Sequence, residues 1–233
     1  MRMKILVVDD DAAICEILSF NLKSEGYEIL VAYSAEEALP IILSHSDISL
    51  LLLDVMMSGM SGYHLVETIR GKGIETPVIF ITAKDQENDL LTGFSVGGDD
   101  YIAKPFSIKE VVARIKALLK RGEKQTKKAE ETDSIILGDL VLYPSKKEVF
   151  LKGSLLSLTK TEYEILVLLM THAEKVFSRE DIIQVVWAET PYITERTVDV
   201  HITRLRKKMG EYGACITNRS GYGYRFNATI CND

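Results

Sequence analysis

No apolar run in this chain of 233 residues approaches the roughly 20 residues that a membrane-spanning helix needs. Met1-Arg2-Met3-Lys4 leads straight into a strand-like run and not into a secretory h-region, so the chain is expected in the cytosol, with no membrane partner. Cysteine is scarce. Cys15, Cys215 and Cys231 are odd in number and lack Cys-x-x-Cys spacing, which fits neither a disulfide framework nor a zinc site and reads as three reduced thiols. No internal repeat or low-complexity tract stands out. Hydrophobic residues at 46% and charged residues at 27% exclude a wholly disordered or collagen-like polymer. The length exceeds the commonest domain size of roughly 100–150 residues and suits two domains.

A net charge of −6 hides an asymmetry. Residues 1–121 carry 12 basic against 18 acidic side chains, whereas residues 135–233 carry 13 against 12. Within the second half, Arg196 to Lys208 holds five basic residues and one acid, a basic stripe that hints at nucleic acid. Between the halves, Arg121 to Ser134 has one Ala as its only apolar residue and cannot join a core. The boundaries follow: a first domain over 1–121, a linker over 122–134 and a second domain over 135–233.

In the first domain, β-branched runs at Lys4–Val8, Glu28–Ala32, Ser49–Leu53, Pro77–Ile81 and Tyr101–Ala103 each precede a helix-length amphipathic stretch. Ser34 with Glu37 and Ser107 with Glu110 read as capping boxes, and Gly26 stops the first helix. Five βα units imply a doubly wound parallel sheet with helices on both faces. The second domain reads as α+β, with strands at Ile135–Leu137, Leu140–Tyr143 and Glu148–Leu151. Helices follow near Lys160–Thr171, Arg179–Trp187 and Glu195–Met209, then a hairpin with Gly221 and Gly223.

The chemistry gathers at strand ends. Asp9-Asp10-Asp11 closes the first strand, Asp54 the third and Thr82 the fourth, and Lys104 follows the fifth. In an open parallel sheet the carboxyl ends share one crevice. Carboxylates crowded there call for a cation, and Mg²⁺ accepts one or two of them while keeping sites for water and phosphate oxygens. Asp54 as nucleophile would form an acyl phosphate, with Lys104 neutralising the transferring group and Thr82 donating to it.

Val7-Val8-Asp9-Asp10-Asp11, Leu53-Asp54-Val55-Met56, Ile81-Thr82-Ala83-Lys84 and Gly97 to Phe106 make residues 3–121 similar to the receiver domain of bacterial two-component response regulators. The resemblance implies the flavodoxin-like strand order 2-1-3-4-5. It implies Asp54 as phosphoacceptor, Mg²⁺ on Asp9, Asp10, Asp54 and the Met56 carbonyl, and Lys104 and Thr82 against the phosphoryl group. It also implies a cis Lys104-Pro105 bond. Phosphorylation would draw Thr82 inward and let Tyr101 turn from solvent to interior. The repacked face, made by the fourth helix, fifth strand and fifth helix, is that family's dimer surface, onto which Leu91, Asp99, Asp100, Glu110, Val111 and Arg114 map. Two positions depart. Ser58 stands where relatives usually have Pro, with no catalytic group expected to feel it, and Leu90 replaces a frequent basic partner.

In the second domain, Val198, Ile202, Leu205 and Met209 are spaced 4, 3 and 4 and form an inward stripe. Arg196, Val200, Thr203, Arg204 and Lys207 then face outward, as a helix suited to the DNA major groove presents its contacts. His201 lies on the flank. Leu158 to Tyr163, Ser178-Arg179-Glu180, Val186-Trp187 and Arg196 to Ile202 make residues 135–228 resemble the winged-helix effector domain of the OmpR/PhoB subfamily. DNA contacts are therefore expected from Arg196, Thr197, Val200, His201, Thr203, Arg204, Arg206, Lys207 and Arg219. Ser220 stands where relatives often have Arg. By resemblance, the loop around Ala188–Thr194 touches RNA polymerase or a partner subunit. The expected protein is a transcription factor and not an enzyme. A sensor histidine kinase would phosphorylate it, receivers would pair, and two effector domains would bind promoter half-sites of double-stranded DNA. Two alternatives stand beside it: a phosphotransfer enzyme, disfavoured by Met56 two residues after Asp54 and by the basic second domain, and a DNA binder that no longer takes phosphate, against which intact Asp54, Asp10, Thr82 and Lys104 count.

Overall fold

The computed structural model describes residues 3–83, 96–120, 134–188 and 193–232, without the side chains of Thr82, Lys120 and Asn232. The chain divides into two compact units that part between Leu119 and Lys120.

The first unit runs β1 (Lys4–Val8), α1 (Ala12–Ser24), β2 (Glu28–Ala32), α2 (Ala35–Ser44), β3 (Ile48–Asp54), α3 (Gly62–Gly71), β4 (Val78–Thr82), β5 (Asp100–Ala103) and α4 (Ile108–Lys120). Its five strands are parallel in the order β2-β1-β3-β4-β5. The central strands are apolar on both faces because helices cover both: Ile5, Leu6, Leu50, Leu51, Leu53 and Ile79 are fully buried. Asp11 caps α1, its side chain accepting from the Ala13 and Ile14 amides. Gly26, at φ 93, follows the end of α1 as expected. The box at Ser34 is displaced: Ser34 Oγ accepts from the Glu37 amide, but Glu37 reaches the Tyr33 amide and not that of Ser34. The fourth helical stretch and most of the expected linker lie outside the described residues.

The second unit opens with four antiparallel strands in sequence order, β6 (Ile135–Leu137), β7 (Leu140–Tyr143), β8 (Glu148–Leu151) and the short β9 (Ser154–Leu155), which the sequence did not announce. Helices α5 (Lys160–Thr171), α6 (Arg179–Val186) and α7 (Glu195–Met209) follow, then a 3₁₀ segment (Gly210–Cys215), the hairpin β10 (Ile216–Arg219) with β11 (Gly223–Phe226), and a 3₁₀ turn (Ile230–Asn232). The stripe Val198, Ile202, Leu205 and Met209 is buried as its spacing requires. It packs in one core with Ile165, Leu169, Trp187 and Phe226. No helix among the described residues is long and apolar enough to cross a membrane.

One expectation is overturned here. Cys215 and Cys231 are joined as a disulfide, their Cα atoms 5.9 Å apart, and only Cys15 is a free thiol. Sequence spacing could not reveal it, because the fold folds the last turn back onto the residue that opens the hairpin.

Candidate functional site

The parallel topology brings Asp9, Asp10, Asp54 and Lys104 together at the carboxyl edge of the first sheet. Asp9 follows β1, Asp54 ends β3, and Lys104 follows β5, so β1 and β3 are adjacent while Lys104 reaches in from the sheet's edge. The Lys104 ammonium donates to Asp9 Oδ2 at 2.8 Å and to Asp54 Oδ2 at 2.7 Å. Asp9 and Asp54 are buried and Asp10 is exposed, and the carboxylate oxygens of all three can lie within 4.8 Å of one another. Three acids against one ammonium leave a formal charge of −2, in oxygen donors of the kind that hold Mg²⁺. Burial pushes the Asp9 carboxyl above its ordinary value, against the pull of Lys104 and the Asp11 amide. Burial also works to lower Lys104, but its bonds to Asp54 and Asp9 outweigh that and raise it.

Backbone donors fix the carboxylates. Asp54 Oδ1 accepts from the Met56 amide (2.9 Å) and Asp9 Oδ1 from the Asp11 amide (2.9 Å). Asp10 Oδ2 accepts from the Ser58 amide at 3.2 Å. The expectation that Ser58 touches no catalytic group is thereby corrected: the donor is the backbone N–H, which proline would lack. Glu36 steadies the same loop by accepting from the Met60 amide at 2.8 Å. Gly62 is required at the start of α3, because a Cβ there would come within 2.2 Å of the Asp54 carbonyl oxygen. The Lys104-Pro105 bond is cis.

Thr82 ends β4 at this edge, but its side chain lies outside the described residues, as do Leu90 and Leu91 entirely. Tyr101 is buried, its ring centroid 6.5 Å from that of Phe80, so it already holds the inward position. The surface expected from Asp99, Asp100, Val111 and Arg114 needs correction, since all four are buried within one unit. Val111 forms with Ile115 and Leu118 the stripe by which α4 packs on the sheet. Arg114 donates to Asp100 at 3.0 and 3.3 Å and to Glu110 at 3.0 and 3.1 Å. Asp99 accepts from the Val78 amide at 3.0 Å. Of the described residues in that set, Glu110 alone is part-exposed.

On α7 the structure divides the expected DNA contacts into three groups. Arg196, Thr203 and Lys207 are exposed and Val200 is half-buried. Thr197 and His201 are buried, the latter 5.4 Å from Trp187 between ring centroids, because they sit on the flank that α7 turns to the core. Their expected DNA contact is corrected accordingly. Arg204 is also turned inward: it pairs with Glu162 of α5 at 2.9 Å, as does Lys208. Glu162 is fully buried and closes a capping box with Thr159, accepting from its amide at 2.9 Å. Arg206 donates to the Ile216 carbonyl and lies over the Tyr224 ring, tying α7 to the hairpin. Asp199 accepts from Arg179 and from the Tyr224 hydroxyl, both at 2.7 Å, and so joins α6, α7 and β11. Arg219 is exposed at the end of β10, lining a cleft with Val176, Ser178, Asp181, Tyr222 and Arg225. Sequence reasoning missed Glu162, although its place three residues after Thr159, opposite a basic helix, was the available signal.

Comparison with known proteins follows this division. Residues 5–116 match the family described as response regulator receiver domain, and residues 153–226 match the transcriptional regulatory protein, C terminal, family. Response regulator DrrB of Thermotoga maritima, described as an OmpR/PhoB homologue, is 32% identical, with 97% of this chain and 100% of that one aligned and a TM-score of 0.50. A RitR mutant is 25% identical over 97% of this chain and 99% of its own, with a TM-score of 0.76. The receiver domain of a Francisella response regulator is 34% identical over 52% of this chain and all of its own, with a TM-score of 0.50.

Proposed function

Because this chain belongs to the OmpR/PhoB type of two-component response regulator, a receiver domain joined to a DNA-binding domain, we propose that it is a transcription factor switched by phosphoryl transfer to Asp54. The family implies a histidine kinase partner and DNA binding, and receivers generally hold Mg²⁺ in an acidic pocket. The observation that carries the reading is the Lys104 ammonium bridging Asp9 and Asp54 in a pocket left two charges negative.

In this reading an Asp54 carboxylate oxygen attacks the phosphorus of a kinase phosphoimidazole, the P–N bond breaks, and the leaving imidazole takes up a proton. Lys104 follows the charge onto the phosphoryl oxygens, and Thr82, at the end of β4, donates a hydrogen bond to them. Asp9, Asp10 and Asp54 with the Met56 carbonyl would hold Mg²⁺, which supplies the remaining positive charge. The face of the fourth helix, β5 and α4 then pairs two receivers. Each effector domain lays α7 in the major groove, with Arg196, Thr203, Lys207 and Val200 outermost and Arg219 on the wing, and the loop around Ala188–Thr194 meets RNA polymerase. Receiver 1–121, linker 122–134 and effector 135–233 are the working divisions.

Intact mass of wild type and Asp54→Asn after incubation with acetyl phosphate and Mg²⁺, followed by sizing, tests this. One phosphoryl adduct on wild type alone, with a shift from monomer to dimer, is expected. The inward position of Tyr101 favours a second reading, a regulator that binds DNA without phosphoryl transfer. No adduct on either protein together with tight DNA binding selects it.

A further inference from the structure

We infer that Cys215 and Cys231 form an oxidisable dithiol site that fastens the 3₁₀ turn Ile230–Asn232 to the foot of the wing. Cys215 ends the 3₁₀ segment after α7 and directly precedes β10. Its carbonyl accepts from the Asn227 amide at 2.7 Å, which brings the chain leaving β11 back over the chain entering β10. The turn holding Cys231 also packs against the β6–β7 turn: the Cys231 carbonyl lies so close to Gly138 that a Cβ there would come within 2.2 Å of it. Beside it, the Tyr212 hydroxyl donates to Asp139 at 3.0 Å. Each cysteine thus has, besides the sulfur bond, a backbone contact that places it. The next residue, Ile216, carries the carbonyl that Arg206 of α7 holds, so the link joins the turn, the wing and the basic helix.

The oxidant is a peroxide. One thiolate attacks a peroxide oxygen, giving a sulfenic acid and a hydroxide that takes up the thiol proton; the second sulfur then displaces the sulfenic oxygen, and a second water leaves. Two electrons pass from the sulfurs to the peroxide, and a dithiol reductant returns them. The bond joins residues 16 apart in sequence and restricts the unfolded chain, so the oxidised effector domain resists unfolding more strongly.

The full-length protein provides its own probe, since Trp187 is the single tryptophan and is buried in the second unit. Thermal unfolding followed by Trp187 fluorescence is expected to shift up by about 10 °C on peroxide treatment relative to the dithiothreitol-reduced protein. One alkylatable thiol is expected after peroxide and denaturation, against three after reduction. Cys231→Ser is expected to lose the shift and Cys15→Ser to keep it. Three thiols surviving peroxide, equal midpoints for oxidised and reduced wild type, or a shift retained by Cys231→Ser would each overturn the site. The oxidised form should also bind promoter DNA about threefold more tightly, because a fastened wing is ordered before it binds. Unchanged affinity beside a shifted midpoint would overturn that coupling while leaving the dithiol standing, and neither thiol count nor midpoint depends on how the DNA face is read.

Discussion

In the receiver one ammonium stands among three carboxylates, whereas in the effector domain one carboxylate stands between two cations. The first cluster is left two charges negative at an open sheet edge, with Asp10 facing solvent. The second is a fully buried Glu162 that pairs with Arg204 and Lys208 and also caps its own helix. Deficit of positive charge invites a divalent ion; two cations on one buried carboxylate make a clamp between α5 and α7. The same kinds of side chain therefore produce a binding site in one domain and a structural joint in the other, and the stoichiometry decides which.

Removing Glu162 should break the comparison most visibly. Glu162→Gln leaves Arg204 and Lys208 facing a neutral amide, and is expected to cost the effector domain about 3 kcal/mol in urea unfolding read by Trp187, with the receiver unaffected. A loss below about 1 kcal/mol would mean that the pair is as weak as a surface salt bridge. In the receiver, Lys104→Met removes the ammonium that bridges Asp9 and Asp54. Mg²⁺ affinity by calorimetry should rise about tenfold, a change of about 1.4 kcal/mol, while acetyl phosphate uptake falls. Lys207→Ala, on the outward face of α7, should lower the slope of log affinity for promoter DNA against log salt by about one; an unchanged slope would move the DNA face elsewhere.

Smaller effects sharpen the picture. Ser58→Pro deletes the amide that holds Asp10 and should weaken Mg²⁺ binding about threefold, whereas Ser58→Ala keeps the amide and should match wild type. The Tyr224 hydroxyl is raised above its ordinary value of 10.0, first by burial and then by its hydrogen bond to Asp199. The stability this gives is present below pH 10.0 and is lost as pH rises through the raised value. Stability read by Trp187 should therefore fall above pH 10.0, and less steeply in Tyr224→Phe.

Much of this was legible beforehand, and the rest was hidden for a physical reason. Strand ends carry their chemistry in sequence order, so Asp9, Asp54 and Lys104 could be gathered from the parallel topology alone. The inward stripe of α7 was legible from its 3.6 period. That period assigns a face and does not say how far a long side chain reaches: Arg204 sits on the expected outer side yet bends to Glu162. Val111 and Arg114 fell to the same ambiguity on α4, where the apolar and charged residues flanking a helix belong equally to core and surface. Ser58 escaped because its contribution is a backbone N–H, which no side-chain pattern records. Cys215 and Cys231 escaped because a return of the chain, not a spacing, brings them together.

The strand order also sets a sequence in time. Asp9 and Asp10 follow β1 and Asp54 ends β3, both strands inside the sheet, whereas the lysine that answers them lies 50 residues after Asp54, beyond the last strand. At about 5–20 residues per second a ribosome needs roughly three to ten seconds to add that stretch. During that interval the acids stay apart, because a domain folds as a unit; the pocket first closes when β5 brings Lys104, with its ammonium already in place.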